Sequence, residues 1–316
     1  MVIKENFRWI PFRLRMCVER LRITFALRGL NRTRPIPAAS ADRAHAEVHM
    51  LLCKKDLIMG VLALKSLLRF DDVKFAVTIT NDGSLSRRDQ QWLGQHIPGV
   101  RWLGWPVMDR GFRDRLSHYP RLKGLYQEKF IFSSLLLHPI FLGRCKRVIR
   151  LDADTAFFSE PRQLLEWALG DDAHPLYLHD SRQETSVPSE VKEAFERLRE
   201  RLAQNERVWS LEHSYFNGGL LAYRPEQMDL SLAEGYLEWL AGISCENKTG
   251  RSAIWFGDWV REQTCYMIMF AYYQQGAEAL GEAYHIGDDA GYVFNHFLGG
   301  STLCLQRELI EQIRKI

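Results

Sequence analysis

An α/β fold with a mainly parallel, Rossmann-like central sheet and helices on both faces is what this sequence predicts, on two observations. Short β-type runs alternate with helical runs from residue 47 to residue 151, the rhythm of strands joined by crossover helices. Polar, turn-forming residues then gather just after two of the strands, at Asn81-Asp82-Gly83-Ser84 and Asp152-Ala153-Asp154. In open sheets of this kind ligands bind beyond the carboxyl ends of the strands.

Taken in order, 34–40 (Arg-Pro-Ile-Pro-Ala-Ala-Ser) is a linker by composition. Residues 47–53 read as a strand, 57–69 as a helix and 73–80 as a strand. Residues 86–96 read as a helix with Ser84 or Ser86 as its cap. A short strand at 100–103, a helix at 123–137 and a strand at 148–151 follow. Beyond Pro161 the rhythm is irregular. Strands are expected at 176–178, at 215–223 (split by Gly218-Gly219) and at 284–286; helices are expected at 189–204, 232–240, 260–274 and 308–315. The chain shows no internal repeat. The domain reading is an N-terminal segment and linker (1–40), one main domain (41–303) and a closing helix (304–316).

The composition, 46% hydrophobic and 26% charged over 316 residues, is that of a folded protein. Six scattered cysteines, without metal-ligand spacing, fit reduced thiols in the cytoplasm. The longest apolar stretch, 131–142, is too short to span a bilayer, and no signal-peptide pattern opens the chain. The net charge of +3 conceals an asymmetry: residues 1–34 carry +7 and the remainder −4. In that segment Ile10, Leu14, Cys17, Val18, Leu21 and Phe25 recur at helical spacing among the arginines. Either residues 7–34 lie on an anionic membrane surface at its inner face, or the helix packs on the body with its arginines in water. The acidic remainder lacks a basic groove, which argues against a nucleic-acid partner.

The chemistry centres on Asp152 and Asp154. Two carboxylates of an extended backbone, one residue apart, project to the same side. Placed together at the end of a buried strand, they suit a hard divalent cation, Mn²⁺ or Mg²⁺, that also takes phosphate oxygens; two solvated aspartates in a turn would look the same in sequence. Gly218-Gly219, after Asn217, permits close backbone approach to a ligand or marks a bulge. Glu262-Gln263, at the start of an apolar helix, is a capping pair or a pair facing a cleft. Asp82 could accept from a base edge or simply shape an Asp-Gly turn. His296, alone in its segment, is structural or a ligand.

The ordered set of Ser66-Leu67-Leu68, Lys129, Leu151-Asp152-Ala153-Asp154-Thr155, Phe216-Asn217-Gly218-Gly219 and His296-Phe297-Leu298-Gly299 resembles the A-type nucleotide-sugar glycosyltransferases. Within them it is most similar to family 8, glycogenin and the bacterial galactosyl- and glucosyltransferases, over about residues 47–300. The resemblance implies a hexosyltransferase, using UDP-glucose or UDP-galactose with retention, in a surface-polysaccharide pathway with a glycan or lipid-linked acceptor. It implies that Asp152, Asp154 and His296 hold the metal, with Asp152 also near the ribose. Asp82, Lys129, Gly218 and Gly219 would line the donor, Lys129 approaching its diphosphate or sugar. Asn217 would bind the donor sugar, and Gln263 would lie beside the anomeric carbon. The chain departs from the family in two places: Glu262 replaces an aspartate, and Gly300-Ser301-Thr302 stands where the family has Lys-Pro-Trp.

A rival reading is a haloacid dehalogenase-type phosphatase with Asp152 as nucleophile, since Asp152-Ala153-Asp154-Thr155 also fits its motif. That motif normally opens its domain, whereas here three strand–helix units precede it. A non-catalytic sugar-nucleotide-binding relative would have no need of intact metal ligands. A nucleotidyltransferase would need glycines that Leu52-Cys53-Lys54-Lys55-Asp56 lacks.

Overall fold

The computed structural model describes residues 28–70, 72–107, 110–128, 131–171, 174–180, 193, 196–200, 216–242, 258–272, 276–287, 291–297 and 310–315. Its main sheet has seven strands: β1 (Ala46–Leu52), β2 (Phe75–Asn81), β3 (Arg101–Gly104), β4 (Val148–Leu151), β6 (Leu176–His179), β7 (Phe216–Tyr223) and β8 (Glu278–Ala279), in the order β3-β2-β1-β4-β7-β6-β8. β1 pairs in parallel with β2 and β4, and β2 with β3, as the alternation predicts. β7 enters antiparallel between β4 and β6. A second sheet, which the sequence did not suggest, joins β5 (Thr155–Phe157), β10 (Phe294–His296) and β9 (Tyr284–Ile286) in the order β5-β10-β9.

The first crossover helix, α1 (Leu57–Leu68), is buried over most of its surface, so it reads as apolar rather than amphipathic. It lies close on β1: a Cβ on Gly60 would come 2.6 Å from Leu52 Cδ1. The next helix, α2 (Arg87–His96), starts at Ser86, whose hydroxyl accepts from Asp89 N while Asp89 accepts from Ser86 N, a complete capping box. Of the two candidate caps, Ser86 is the one used.

The helix expected at 123–137 is instead two, α4 (Pro120–Gln127) and α5 (Ser133–Leu142), preceded by the unanticipated α3 (Arg110–Leu116). Ser133 and Ser134 restart the helix, Ser134 Oγ bonding back to Ile131 O at 2.6 Å. Pro139 lies inside α5 and cannot donate to Leu135 O. The Tyr266 hydroxyl donates to that carbonyl instead, at 2.7 Å, so the helix continues past the proline. Tyr266 belongs to α8 (Asp258–Ala271), which follows α6 (Arg162–Leu169) and α7 (Leu230–Gly242) in the chain.

Residues 28–39 are docked on the body. Leu30 is fully buried, beside Ile310 and Ile313 of the C-terminal turn. Lys65 Nζ bonds Thr33 Oγ1 at 2.5 Å and Arg34 O at 2.6 Å. Backbone N–H groups of Ile36, Ala38 and Ala39 donate to His96, Pro98 and Phe75 carbonyls. The prolines of the linker thus accompany a strap bonded to the end of α2, the loop after it and the start of β2. The amphipathic pattern between residues 7 and 27 lies outside the described residues.

A polar network sits between sheet and α5. Glu47 accepts from Thr78 Oγ1 at 2.5 Å and from Arg144 N at 2.5 Å. Burial alone would raise its carboxyl, but His49 and these donors hold it down at about 2. His138 bridges Thr80 Oγ1 (2.9 Å) and Tyr126 Oη (3.1 Å). Burial depresses His138 to about 3 and His96 to about 4. Both imidazoles are neutral in the fold and bind protons near pH 6.5 once exposed, so stability falls as pH drops below that value, by about 1.4 kcal/mol per pH unit for each. The buried Glu262 carboxyl, held up at about 7, takes up a proton only in the fold over this range and offsets one of the two. The urea midpoint should therefore still decline between pH 6 and pH 5, and a midpoint that rises there would contradict these buried neutral histidines.

Candidate metal and donor site

The strand β4 is buried and ends at Leu151, and the chain then turns through Asp152-Ala153-Asp154 into β5. The two aspartates therefore share a side through a turn, not through an extended strand as the spacing alone suggested. That turn is pinned by Asp152 N donating to Gly219 O (2.9 Å), Thr155 Oγ1 donating to Asp152 O (2.8 Å) and Phe297 N donating to Asp154 O (2.8 Å).

His296 arrives from the second sheet. β10 pairs antiparallel with β5 so that His296 stands opposite Thr155, the residue after Asp154. Its Nε2 lies 3.3 Å from Asp154 Oδ1 and 3.6 Å from Asp152 Oδ2. One ligand atom from each of the three residues falls within 4.8 Å of the others, a donor set of two carboxylates and an imidazole. Two carboxylates and an imidazole are a donor set that could hold a divalent metal ion.

The imidazole is also prepared for a metal. Asn217 Oδ1 accepts from Gly219 N at 2.8 Å and lies 3.0 Å from His296 Nδ1. Because the backbone N–H requires an acceptor there, the oxygen faces His296, so Nδ1 is its donor and Nε2 is the ring nitrogen that faces the aspartates. A hydrogen-bonded partner of this kind commonly fixes the tautomer of a metal-binding histidine. Asn217 thus has a supporting role that the sequence alone did not suggest.

Both readings of Gly218-Gly219 bear on the structure. Pairing between β6 and β7 jumps from Leu178↔Asn217 to Tyr177↔Leu221, an irregularity that contains the glycines. The absent side chains make room for protein groups: a Cβ on Gly219 would lie 2.3 Å from His296 Nδ1, and one on Gly218 would lie 2.8 Å from Arg150 Nη1. Their N–H groups are already donated, Gly218 to Gln263 Oε1 (3.1 Å) and Gly219 to Asn217.

Because α8 begins at Asp258, Glu262 and Gln263 lie in its second turn and are not a capping pair. Gln263 reaches across to β7, its Nε2 donating to Phe216 O at 2.9 Å while its Oε1 accepts from Gly218. Glu262 turns to Arg150, which the sequence reading passed over because it looked like an ordinary strand residue. Arg150 Nη2 is 3.3 Å from both Glu262 Oε1 and Asp152 Oδ1. Burial works against the Arg150 charge, but Asp152 and Glu262 raise its pKa above the usual value. Burial pushes the Glu262 carboxyl up to about 7, against the pull of Arg150.

Asp82 stands at the end of β2, its Oδ1 accepting from Ser84 N (2.8 Å) and Ser84 Oγ (2.6 Å), with Gly83 at φ 99°. The turn is therefore formed. Lys129 lies outside the described residues, as does most of the segment 180–204 and of 242–259. Among the described residues no helix is long and apolar enough to cross a membrane.

No protein-family model matches the chain, and no curated protein matches it in sequence. Solved structures match it in fold. Mouse xyloside xylosyltransferase 1, in its apo form, is 16% identical across 84% of this chain and 99% of its own, with a TM-score of 0.50. The galactosyltransferase LgtC with donor and acceptor sugar analogues is 12% identical across 84% and 95%, TM-score 0.43. The mannosyltransferase Ktr4p from S. cerevisiae with GDP is 12% identical across 82% and 79%, TM-score 0.45. At such identities the likeness to the xylosyltransferase establishes the fold: the chain has the A-type glycosyltransferase architecture.

Proposed function

We propose that the protein is a metal-dependent glycosyltransferase that moves a hexose from UDP-glucose or UDP-galactose to a glycan or lipid-linked acceptor, with retention. The observation that carries the reading is His296, brought by a separate sheet onto Asp152 and Asp154 with its Nδ1 donating to Asn217. A phosphatase built on Asp152 as nucleophile has no use for that histidine.

Breaking a sugar–phosphate bond leaves a nucleoside diphosphate and builds positive charge on the sugar. The cation held by Asp152, Asp154 and His296 would act as a Lewis acid on the departing diphosphate. The remaining work belongs to side chains. On the family resemblance, Lys129 would bring positive charge to the diphosphate. Gln263, held by two contacts to β7, presents amide dipoles where the anomeric carbon would sit. With the Asn217 oxygen committed to His296 and Gly219, its Nδ2 is the group left for the donor sugar. Gly218 and Gly219 act behind the donor, by leaving room for Arg150 and His296, and Asp82 accepts from the uracil imide. Incubation with UDP- and GDP-hexoses and Mn²⁺, beside p-nitrophenyl phosphate with Mg²⁺, tests the reading. Slow UDP-hexose hydrolysis with the anomeric configuration kept supports it; turnover of GDP-sugars alone, inversion, or phosphatase activity contradicts the corresponding part.

The address we propose is cytoplasmic, at the inner face of a membrane, through the basic N-terminal residues. Because Leu30 and Thr33 belong to the packed body, the informative deletion removes residues 1–27. That deletion should release the protein from anionic vesicles and leave donor hydrolysis intact. Retention on vesicles insensitive to the deletion and to salt would refute it.

A further inference from the structure

Arg150 occupies the floor beneath the carboxylates. It is the third residue of β4, side chain buried, with only Nη2 in contact with its acidic neighbours; Nε and Nη1 have no hydrogen-bond partner. Such a group is costly to bury and is held in place by two carboxylates at once. Gly218 admits it, since any side chain there would collide with Nη1.

The consequence falls on Asp152. Its two oxygens face different partners: Oδ1 lies 3.3 Å from the guanidinium, whereas Oδ2 faces His296. A cation among Asp152, Asp154 and His296 can use Oδ2 without disturbance. To use both oxygens it would have to approach Oδ1 against a fixed positive charge, or drive Arg150 away and leave Glu262 buried without its counterion.

We propose that Arg150 confines Asp152 to a single-oxygen ligand and thereby sets the ion selectivity of the centre, favouring Mn²⁺ and Mg²⁺ over Ca²⁺. Small octahedral ions are satisfied by single-oxygen carboxylates and keep their remaining positions for water and phosphate. Ca²⁺ takes six to eight oxygens and readily accepts both oxygens of one carboxylate. Arg150 is in this sense a positioning residue, and its role rests on the reading that the three residues hold a metal.

The test measures ion binding alone, on the full chain without donor: Mn²⁺ by electron paramagnetic resonance and Ca²⁺ by competition with it. The double variant Arg150→Gln/Glu262→Gln removes both buried charges together and so leaves neither stranded. Its ratio of Ca²⁺ to Mn²⁺ dissociation constants should fall about tenfold relative to the parent, the scale of effects on a metal from groups behind its ligands. Glu262→Gln alone leaves Arg150 to Asp152 and should hold or raise that ratio. A general loss of structure weakens both ions in parallel and does not move it. In a double variant whose melting temperature stays near the parent's, an unchanged ratio overturns the proposal, as does a fall in the single variant. A parent protein that binds neither ion overturns the metal-site reading itself, a result distinct from either.

Discussion

Asp154→Asn is expected to lower donor turnover by on the order of a thousandfold, because an amide cannot supply the negative charge that holds a divalent ion in place. Its carboxylate is 3.3 Å from His296 Nε2, and its backbone carbonyl accepts from Phe297 N. That backbone bond survives the substitution, so thermal stability should hardly change while Mn²⁺ binding is lost. Isotope-labelled UDP-hexose hydrolysis and a melting curve on the same preparation separate the two effects. Turnover near the parent level would remove Asp154 from the centre.

Gly219→Ala is expected to act on the same centre through geometry alone. The new methyl would lie 2.3 Å from His296 Nδ1 and 2.5 Å from Cε1, closer than atoms of a folded protein come. The ring must move, losing Asn217 and its alignment with the aspartates. Mn²⁺ affinity should drop about 10- to 100-fold, comparable to His296→Ala, although no ligand is changed. β7 keeps its pairing to β4 on the other side, so the fold should persist. Retained Mn²⁺ affinity in a folded Gly219→Ala protein would show that the histidine is not held where the structure has it.

The sequence made the parallel half of the sheet legible, because alternation of β1, α1, β2, α2 and β3 is local and each element is bounded by its own turn chemistry, as at Ser86. The spacing of Asp152 and Asp154 made that pair legible as a possible donor site, whereas His296, which the fold brings beside them, was pointed to by the family resemblance and not by its own segment. Three features escaped the sequence. The break between α4 and α5 depends on tertiary support, including a tyrosine hydroxyl from α8 replacing the bond that Pro139 cannot make. The β5-β10-β9 sheet joins segments more than a hundred residues apart. Its β9 matches the strand expected at 284–286, but β5 and β10, three residues each, are too short for periodicity to register, and so the sheet itself was not legible. Arg150 and Glu262, paired across a similar separation, look like an ordinary strand residue and an ordinary helix residue until packing brings them together. The glycine pair was legible as a place of close approach, but what approaches is the protein's own His296 and Arg150.

Asp152, Asp154 and His296 are expected to form a centre where a divalent ion and a uridine diphosphate bind together. Titration calorimetry of the full-length protein with UDP, in Mn²⁺ and then in EDTA, addresses this directly. Saturable UDP binding in Mn²⁺ that vanishes in EDTA, and that His296→Ala weakens about tenfold or more, is the predicted result. UDP binding of equal strength in EDTA, or unaltered by His296→Ala, would contradict it.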